Sequence, residues 1–190
     1  MSIQIENLDK IDWRIINELQ RDGRASLVKL GKKVGLSHPS VKARLSKLIE
    51  SNLVRIQANI NVMKLGFNIA LINVEIEDIA LINDELEKLR KCLRIVFLMI
   101  KSSDYNLTLL TIYKDMRELE AFIEKRIRKI PKVKKISIET VRMVKPLFIP
   151  CFISLESDSE CFKECENCDL RKCIISCPGC IIKVVSGGGK

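Results

Sequence analysis

Between Ile69 and Met143 the apolar periodicity switches repeatedly between a repeat of two and a repeat of 3.6, and few folds accommodate that order. Ile69–Ile76 is strand-like. Leu81–Leu93 is helical, with Ile82, Leu86, Leu89 and Leu93 aligned. Ile95–Lys101 and Leu107–Tyr113 read as two strands joined across Ser102-Ser103-Asp104-Tyr105-Asn106, a hairpin turn by composition. Asp115–Ile130 is a second helix, with Leu119, Phe122, Ile123, Ile127 and Ile130 inward, and Lys134–Met143 is a closing strand. The order βαββαβ predicts a ferredoxin-like α+β sandwich over 69–145.

Two of these strands are apolar on both sides: Ile95/Phe97/Met99 against Val96/Leu98/Ile100, and Leu107/Leu109 against Leu110/Ile112. Helices in such a fold cover one face of the sheet, so the other needs a cover. A second copy of the same sheet supplies it, which predicts a dimerisation module.

Residues 8–55 read as three short helices. The first carries Leu8, Ile11, Ile15 and Leu19 and ends near Asp22-Gly23. Ser26 is placed to cap the second, whose inner face is Leu27, Leu30 and Val34, and Gly35 breaks it. Ser37 is the predicted cap of the third. Pro39 is tolerated there because first-turn amides lack intrahelical partners, and Leu36 and Val41 occupy the two positions of a hydrophobic staple. Val41, Leu45, Leu48 and Ile49 form the expected buried stripe, which leaves Pro39, Ser40, Lys42, Ala43, Ser46 and Lys47 outward. That face is small at its start and basic along its length, as suits a helix that enters the major groove of DNA. Candidate DNA contacts are Ser26, Lys29, Ser37, His38, Pro39, Ser40, Lys42, Ala43, Arg44, Ser46 and Lys47.

Charge agrees. The chain carries a formal +9, and residues 7–61 hold eleven Lys/Arg against five Asp/Glu, a density that fits a phosphate-facing end. A solvated lysine-rich surface is the bland alternative. The N-terminus shows no basic start followed by an apolar run, and stretches such as Ile95–Ile100 are far short of the roughly 20 residues a spanning helix needs, so the expected location is the cytoplasm and no membrane is a partner.

Eight cysteines are unusual for that compartment, and six lie within 161–180. They read Cys161-x3-Cys165-x2-Cys168-x4-Cys173-x3-Cys177-Pro178-Gly179-Cys180. Soft thiolates hold zinc, iron–sulfur clusters and copper(I) better than oxygen ligands do, and short gaps let neighbours reach one centre. Cys165, Cys168, Cys173 and Cys177 followed by Pro178 look like the bacterial ferredoxin run with two extra residues in the middle gap, which points first to a [4Fe–4S] cluster. Cys165, Cys168, Cys177 and Cys180 as two Cys-x2-Cys knuckles would instead hold zinc. A thiol–disulfide switch is a third reading. Cys92 reads as a small buried hydrophobe, Cys151 as a minor extra ligand, and His38 as facing DNA or solvent rather than metal.

The segments LDKIDWRIINELQRDGR (8–24) and GLSHPSVKARLSKLIESNLV (35–54), with Leu65-Gly66 before the first strand, resemble the Lrp/AsnC (leucine-responsive, feast/famine) family of bacterial and archaeal regulators over residues 8–145. The resemblance implies a winged or plain helix-turn-helix on palindromic double-stranded promoter sites. It also implies a βαββαβ domain that forms homodimers and often octamers, and an amino acid or other small effector between domains. Arg44 matches an arginine typical of the recognition helix, although its place on the flank points to a phosphate or intramolecular contact. Asn52 stands where relatives often have Gly, which a left-handed cap tolerates. Ser103, Asp104, Tyr105 and Asn106 fall where relatives form part of the effector pocket, but the usual glycine is missing.

The expected organisation is a helix-turn-helix domain over 1–60, a linker at 61–68, the ferredoxin-like domain at 69–145, and a linker with a cysteine-rich metal-binding tail at 146–190. The expected function is transcriptional regulation with DNA binding modulated by the tail. The alternatives are an amino-acid-responsive regulator with a purely structural zinc tail, or an iron–sulfur redox protein. An enzyme is not expected.

Overall fold

The computed structural model describes residues 8–150, which form two compact units, one ending at Ala58 and the other beginning at Asn59. The six clustered cysteines and Cys151 lie outside the described residues.

The first unit is a three-helix bundle: α1 (Lys10–Arg21), α2 (Leu27–Val34) and α3 (His38–Glu50). Asp9 caps α1 by accepting from the amides of Ile11 and Asp12 at 2.8 Å, while the Asp12 carboxylate accepts from the Asp9 amide at 3.2 Å. This closed capping box uses two aspartates where Ser/Thr and Glu are usual, which is why the sequence pattern hid it. Asp22 ends α1, and its carboxylate accepts from the Arg24 amide at 3.0 Å and from Lys29 Nζ at 2.7 Å. Ile15, Leu30, Val34, Val41 and Leu48 form the buried core, with Leu45 half-buried beside them. Ile49 does not join this stripe as expected. It lies four residues after Leu45, on the edge of the helix that turns toward solvent, and is 43% exposed.

The second unit is a four-stranded antiparallel sheet, in the order β2-β3-β1-β4, of β1 (Asn68–Ile76), β2 (Ile95–Ile100), β3 (Leu107–Tyr113) and β4 (Val133–Val141). Helices α4 (Asn83–Arg90) and α5 (Met116–Phe122) complete the βαββαβ order. Both helices are shorter than their apolar repeats suggest. A 3-10 turn, Ile79–Ile82, precedes α4 and leaves Leu81 exposed, and Leu93 falls beyond its end. Past Phe122 the backbone widens into a π-turn, Ile123–Ile127, that keeps Ile123 and Ile127 buried. A repeat of three or four apolar positions fits 3-10, α and π turns alike, so periodicity alone does not separate them.

The main core joins Ala70, Ile72 and Val74 of β1 and Leu107 and Leu109 of β3 to Ile82, Leu89, Leu119, Phe122 and Ile127. Cys92 is buried in the same core, as expected of a small apolar side chain. β2 pairs Ile95 with Thr111 but Phe97 with Leu110, so a bulge inserts Val96. The strict alternation expected for this strand therefore fails: Ile95 and Leu98 join the helix-side core, while Val96 turns to the opposite face.

That opposite face is not bare either. The segment read as a linker holds a 3-10 turn, Val62–Leu65, and supplies Val62 and Phe67 to a second cluster with Ile69, Ile112 and Ile149. Ile60, expected at the end of the helix-turn-helix domain but part of this second unit, and Ile149, in the segment read as a linker after 145, exchange two backbone hydrogen bonds of 3.0 Å. What stays open is the other part of that face, where Phe97 and Met99 are 43% and 44% exposed beside half-buried Leu71 and Leu110.

Candidate nucleic-acid interface

The turn between α2 and α3 is set by two glycines. Gly35 adopts φ 75°, a left-handed conformation that costs a glycine little, and ends α2. Gly31 lets the Leu36 carbonyl approach so closely that a Cβ there would lie 2.5 Å from its oxygen. The Gly31 carbonyl accepts from the amides of Gly35 and Leu36 at 2.9 and 3.0 Å, which closes the turn. Ser37 then occupies the N-cap of α3 with Pro39 in the first turn. The Ser37 hydroxyl does not cap an amide as predicted; it lies 2.9 Å from the Ser40 hydroxyl. Pro39 has no amide to offer, so the first turn has one donor fewer for a cap to satisfy.

The core residues Val41 and Leu48 fix which face of α3 is presented. Ser37, His38, Pro39, Ser40, Lys42, Ala43 and Lys47 are exposed and Ser46 is half-buried. No acidic residue occurs on α3 before its last position, Glu50. The helix closes with Asn52 at φ 57°, the left-handed conformation that asparagine tolerates in place of glycine.

Arg44 takes a different course. Its Nη1 donates to Asp9 Oδ2 at 2.7 Å and to Asp12 Oδ1 at 2.8 Å, tying α3 to the capping box of α1. The Asp12 and Asp9 carboxylates raise the guanidinium above its ordinary pKa. Asp9 is held below the usual carboxylate value by the Asp12 amide first, against an opposing effect of burial, with the Arg44 guanidinium and the Ile11 amide assisting. Arg44 is thus engaged within the unit, one of the two contacts that its flank position suggested.

Ser26 caps α2, its hydroxyl accepting from the Lys29 amide at 3.2 Å. Lys29 is drawn to Asp22, whose carboxylate raises the ammonium pKa, and both remain substantially exposed. In the second unit, the candidate effector residues form a tight turn. The Ser103 hydroxyl donates to the Tyr105 carbonyl at 2.8 Å and Asp104 is exposed. Asn106 clamps the end of β1, its amide donating to the Ile76 carbonyl at 2.7 Å and accepting from the Ile76 amide at 2.9 Å. Among the described residues no group of three or more His, Cys, Asp or Glu is arranged to hold a metal ion. No helix there is long and apolar enough to cross a membrane.

The sequence reading missed a buried ion pair. Arg94 Nη2 lies 3.1 Å from Glu118 Oε1, the two side chains 6% and 1% exposed, and the guanidinium sits 4.9 Å from the centre of the Phe122 ring. Glu118 Oε2 also accepts from the Lys114 amide at 2.7 Å. No spacing rule links positions 94 and 118, so only the fold brings them together.

A helix-turn-helix with a basic outward helix, in one chain with a ferredoxin-like sheet, is the composition of a two-unit DNA-binding regulator. The AsnC-type helix-turn-helix family model matches residues 8–49. A helix-turn-helix transcriptional regulator of Pyrococcus horikoshii is 31% identical over 140 residues, covering 73% of this chain and 88% of that one. Among solved structures, the leucine response regulatory protein of Mycobacterium tuberculosis is similar with a TM-score of 0.64 at 25% identity, over 70% of this chain and 92% of that one. A Neisseria meningitidis transcriptional regulator in complex with L-methionine shares the fold, with a TM-score of 0.61 at 24% identity, over 73% of this chain and 92% of that one. The chain belongs to the Lrp/AsnC family of helix-turn-helix transcriptional regulators, a family of regulators and not of enzymes.

Proposed function

We propose that this chain binds double-stranded promoter DNA as a homodimer or larger assembly through the exposed face of α3, with an affinity that follows the state of a thiolate-bound centre in its cysteine-rich segment. The observation that carries the DNA reading is the α3 surface: His38, Ser40, Lys42, Ala43 and Lys47 exposed on a helix whose opposite side is fixed in the core. Small residues at its start admit the backbone of the groove, and the lysines meet phosphates. The uncovered apolar part of the sheet around Phe97 and Met99 supports self-association.

The regulatory half rests on the chemistry of the donor set. Cys161, Cys165, Cys168, Cys173, Cys177 and Cys180 supply six thiolates within twenty residues, more than either zinc or a [4Fe–4S] cluster requires. A [4Fe–4S] cluster is the first assignment and zinc the second. A small effector at the turn 103–106 is the secondary reading: it rests on the family resemblance, a Neisseria meningitidis relative forms a complex with L-methionine, and here the Asn106 amide is already engaged by β1.

The test is the affinity of one promoter fragment for three forms of the protein: purified anaerobically, stripped of metal, and truncated after Pro150. A difference of tenfold or more between the first two forms is the expected result, on the order of the coupling typical of regulated sites. Equal affinity in all three would overturn the coupling and leave the DNA reading intact. A broad absorption band near about 400 nm that bleaches on reduction identifies the cluster; a colourless, zinc-loaded protein identifies the alternative.

A further inference from the structure

We infer that a basic cleft at the end of the α5 segment binds the phosphate backbone of duplex DNA, as a contact additional to α3. The inference rests on the reading of this chain as a DNA-binding protein. Residues 125–135 read KRIRKIPKVKK, seven Lys/Arg and no Asp/Glu. Averaged over residues 62–150, where twelve acidic residues offset seventeen basic ones, this concentration disappears.

The fold sorts the stretch by polarity. Ile127 and Ile130 are buried and Val133 and Ile136 pack against the same core, which pins the backbone. Arg128, Lys129, Lys132, Lys134 and Lys135 are left exposed between them. Arg128, Lys132, Lys134 and Lys135 line an open cleft of about 330 Å³ whose apolar floor is Ile130, Val133 and Ile136. Lys132 holds a left-handed backbone, φ 61°, and its carbonyl accepts from the Glu77 amide at 3.0 Å. A lysine is thus kept at a position that glycine or asparagine would occupy with less strain.

Three carboxylates stand at the margins. Glu124 lies 2.7 Å from Arg128 Nε, Glu75 3.4 Å from Lys135 Nζ and Glu77 3.9 Å from Lys132 Nζ. The Arg128 and Lys132 pairs are solvated on both sides and the Lys135 pair on its lysine side, so they contribute little and leave the cations open to another anion. Lys134 has no carboxylate partner among the described residues. A small anion is held best by converging, buried donors; these cations are splayed along an open surface on flexible stems. That arrangement matches charge repeated along a line, which is what a nucleic-acid backbone presents.

The test uses the full chain and a random-sequence duplex of about 60 base pairs, with affinity followed by anisotropy from about 0.05 to 0.2 M potassium chloride. The variant combines Arg128→Gln, Lys132→Asn, Lys134→Gln and Lys135→Gln. Each phosphate that the protein no longer neutralises lowers the slope of log affinity against log salt by about 0.9, so loss of four such contacts should lower it by about 3–4, with affinity at about 0.1 M salt reduced tenfold or more. Lys134→Glu, at an exposed position, serves as a second variant against loss of folding; it should lower the slope by about 1 with an unchanged thermal melt. Lys42→Gln/Lys47→Gln on α3 is the reference. If that variant weakens binding while the cleft variants keep the wild-type slope, the cleft inference alone falls. If neither site matters, the DNA reading falls with it. Inorganic phosphate that binds the wild type but not the fourfold variant, with DNA binding unchanged, would mark a free-phosphate site and overturn the inference.

Discussion

Glu118 is nearly inaccessible, and its two oxygens are divided between the Arg94 guanidinium and the Lys114 amide. A carboxylate buried in that position relies on such donors, and the guanidinium gains from the carboxylate in turn. Glu118→Ala would remove the carboxylate that Arg94 Nη2 meets beside the Phe122 ring. The expected loss is about 3–5 kcal/mol, read as a shift of the urea midpoint, whereas Glu118→Gln, which keeps an acceptor, should lose less. Unfolding free energies equal to the wild type would show that the pair adds nothing. Neither residue was visible as a partner in the sequence, because an ion pair across 24 positions has no local signature. Asp9 was legible as an N-cap candidate before an apolar run, but its Asp12 partner departs from the usual Glu or Gln and hid the box.

The α2–α3 turn shows how one element can reverse an expectation drawn from propensity. Gly31 lies inside α2, where alanine would ordinarily add about 1 kcal/mol of helix stability. Here the added methyl meets the Leu36 carbonyl, a backbone atom that cannot swing aside. Gly31→Ala is therefore expected to destabilise by about 1–3 kcal/mol in thermal melts and to weaken DNA binding by displacing α3. A melt equal to or above the wild type would refute that account. Gly35, by contrast, was readable as a helix stop because its dihedral has a compositional signature. β3 was equally readable, since Asn106 and Lys114 punctuate an unbroken apolar and β-branched run. β2 was not: its bulge depends on how Ile95 and Phe97 meet β3, a relation that exists only between strands.

At the scale of the whole molecule, the proposed self-association turns on the open part of the sheet. Segments 60–67 and Ile149 already cover one end of that face, so the self-association proposed above centres on Phe97 and Met99. Phe97→Asp/Met99→Asp should shift the sedimenting species from dimer or larger to monomer while the circular dichroism spectrum stays unchanged. An unshifted species would send the interface elsewhere. The architecture was legible from alternating periodicity, because strand order follows from few topological options. The basic cleft was not, since charge counted over a whole domain conceals where the backbone gathers it.

The engagement of Arg44 has a consequence for sequence discrimination. Arginine is the side chain best shaped to grip the paired acceptors of guanine, and Arg44 is the only arginine on α3. With its Nη1 turned toward Asp9 and Asp12, a helix that binds DNA as proposed would meet base pairs through two lysines, an imidazole and hydroxyls, a set with little geometric precision. An operator for such a helix would be chosen as much by how easily it narrows, bends or twists as by the edges it displays.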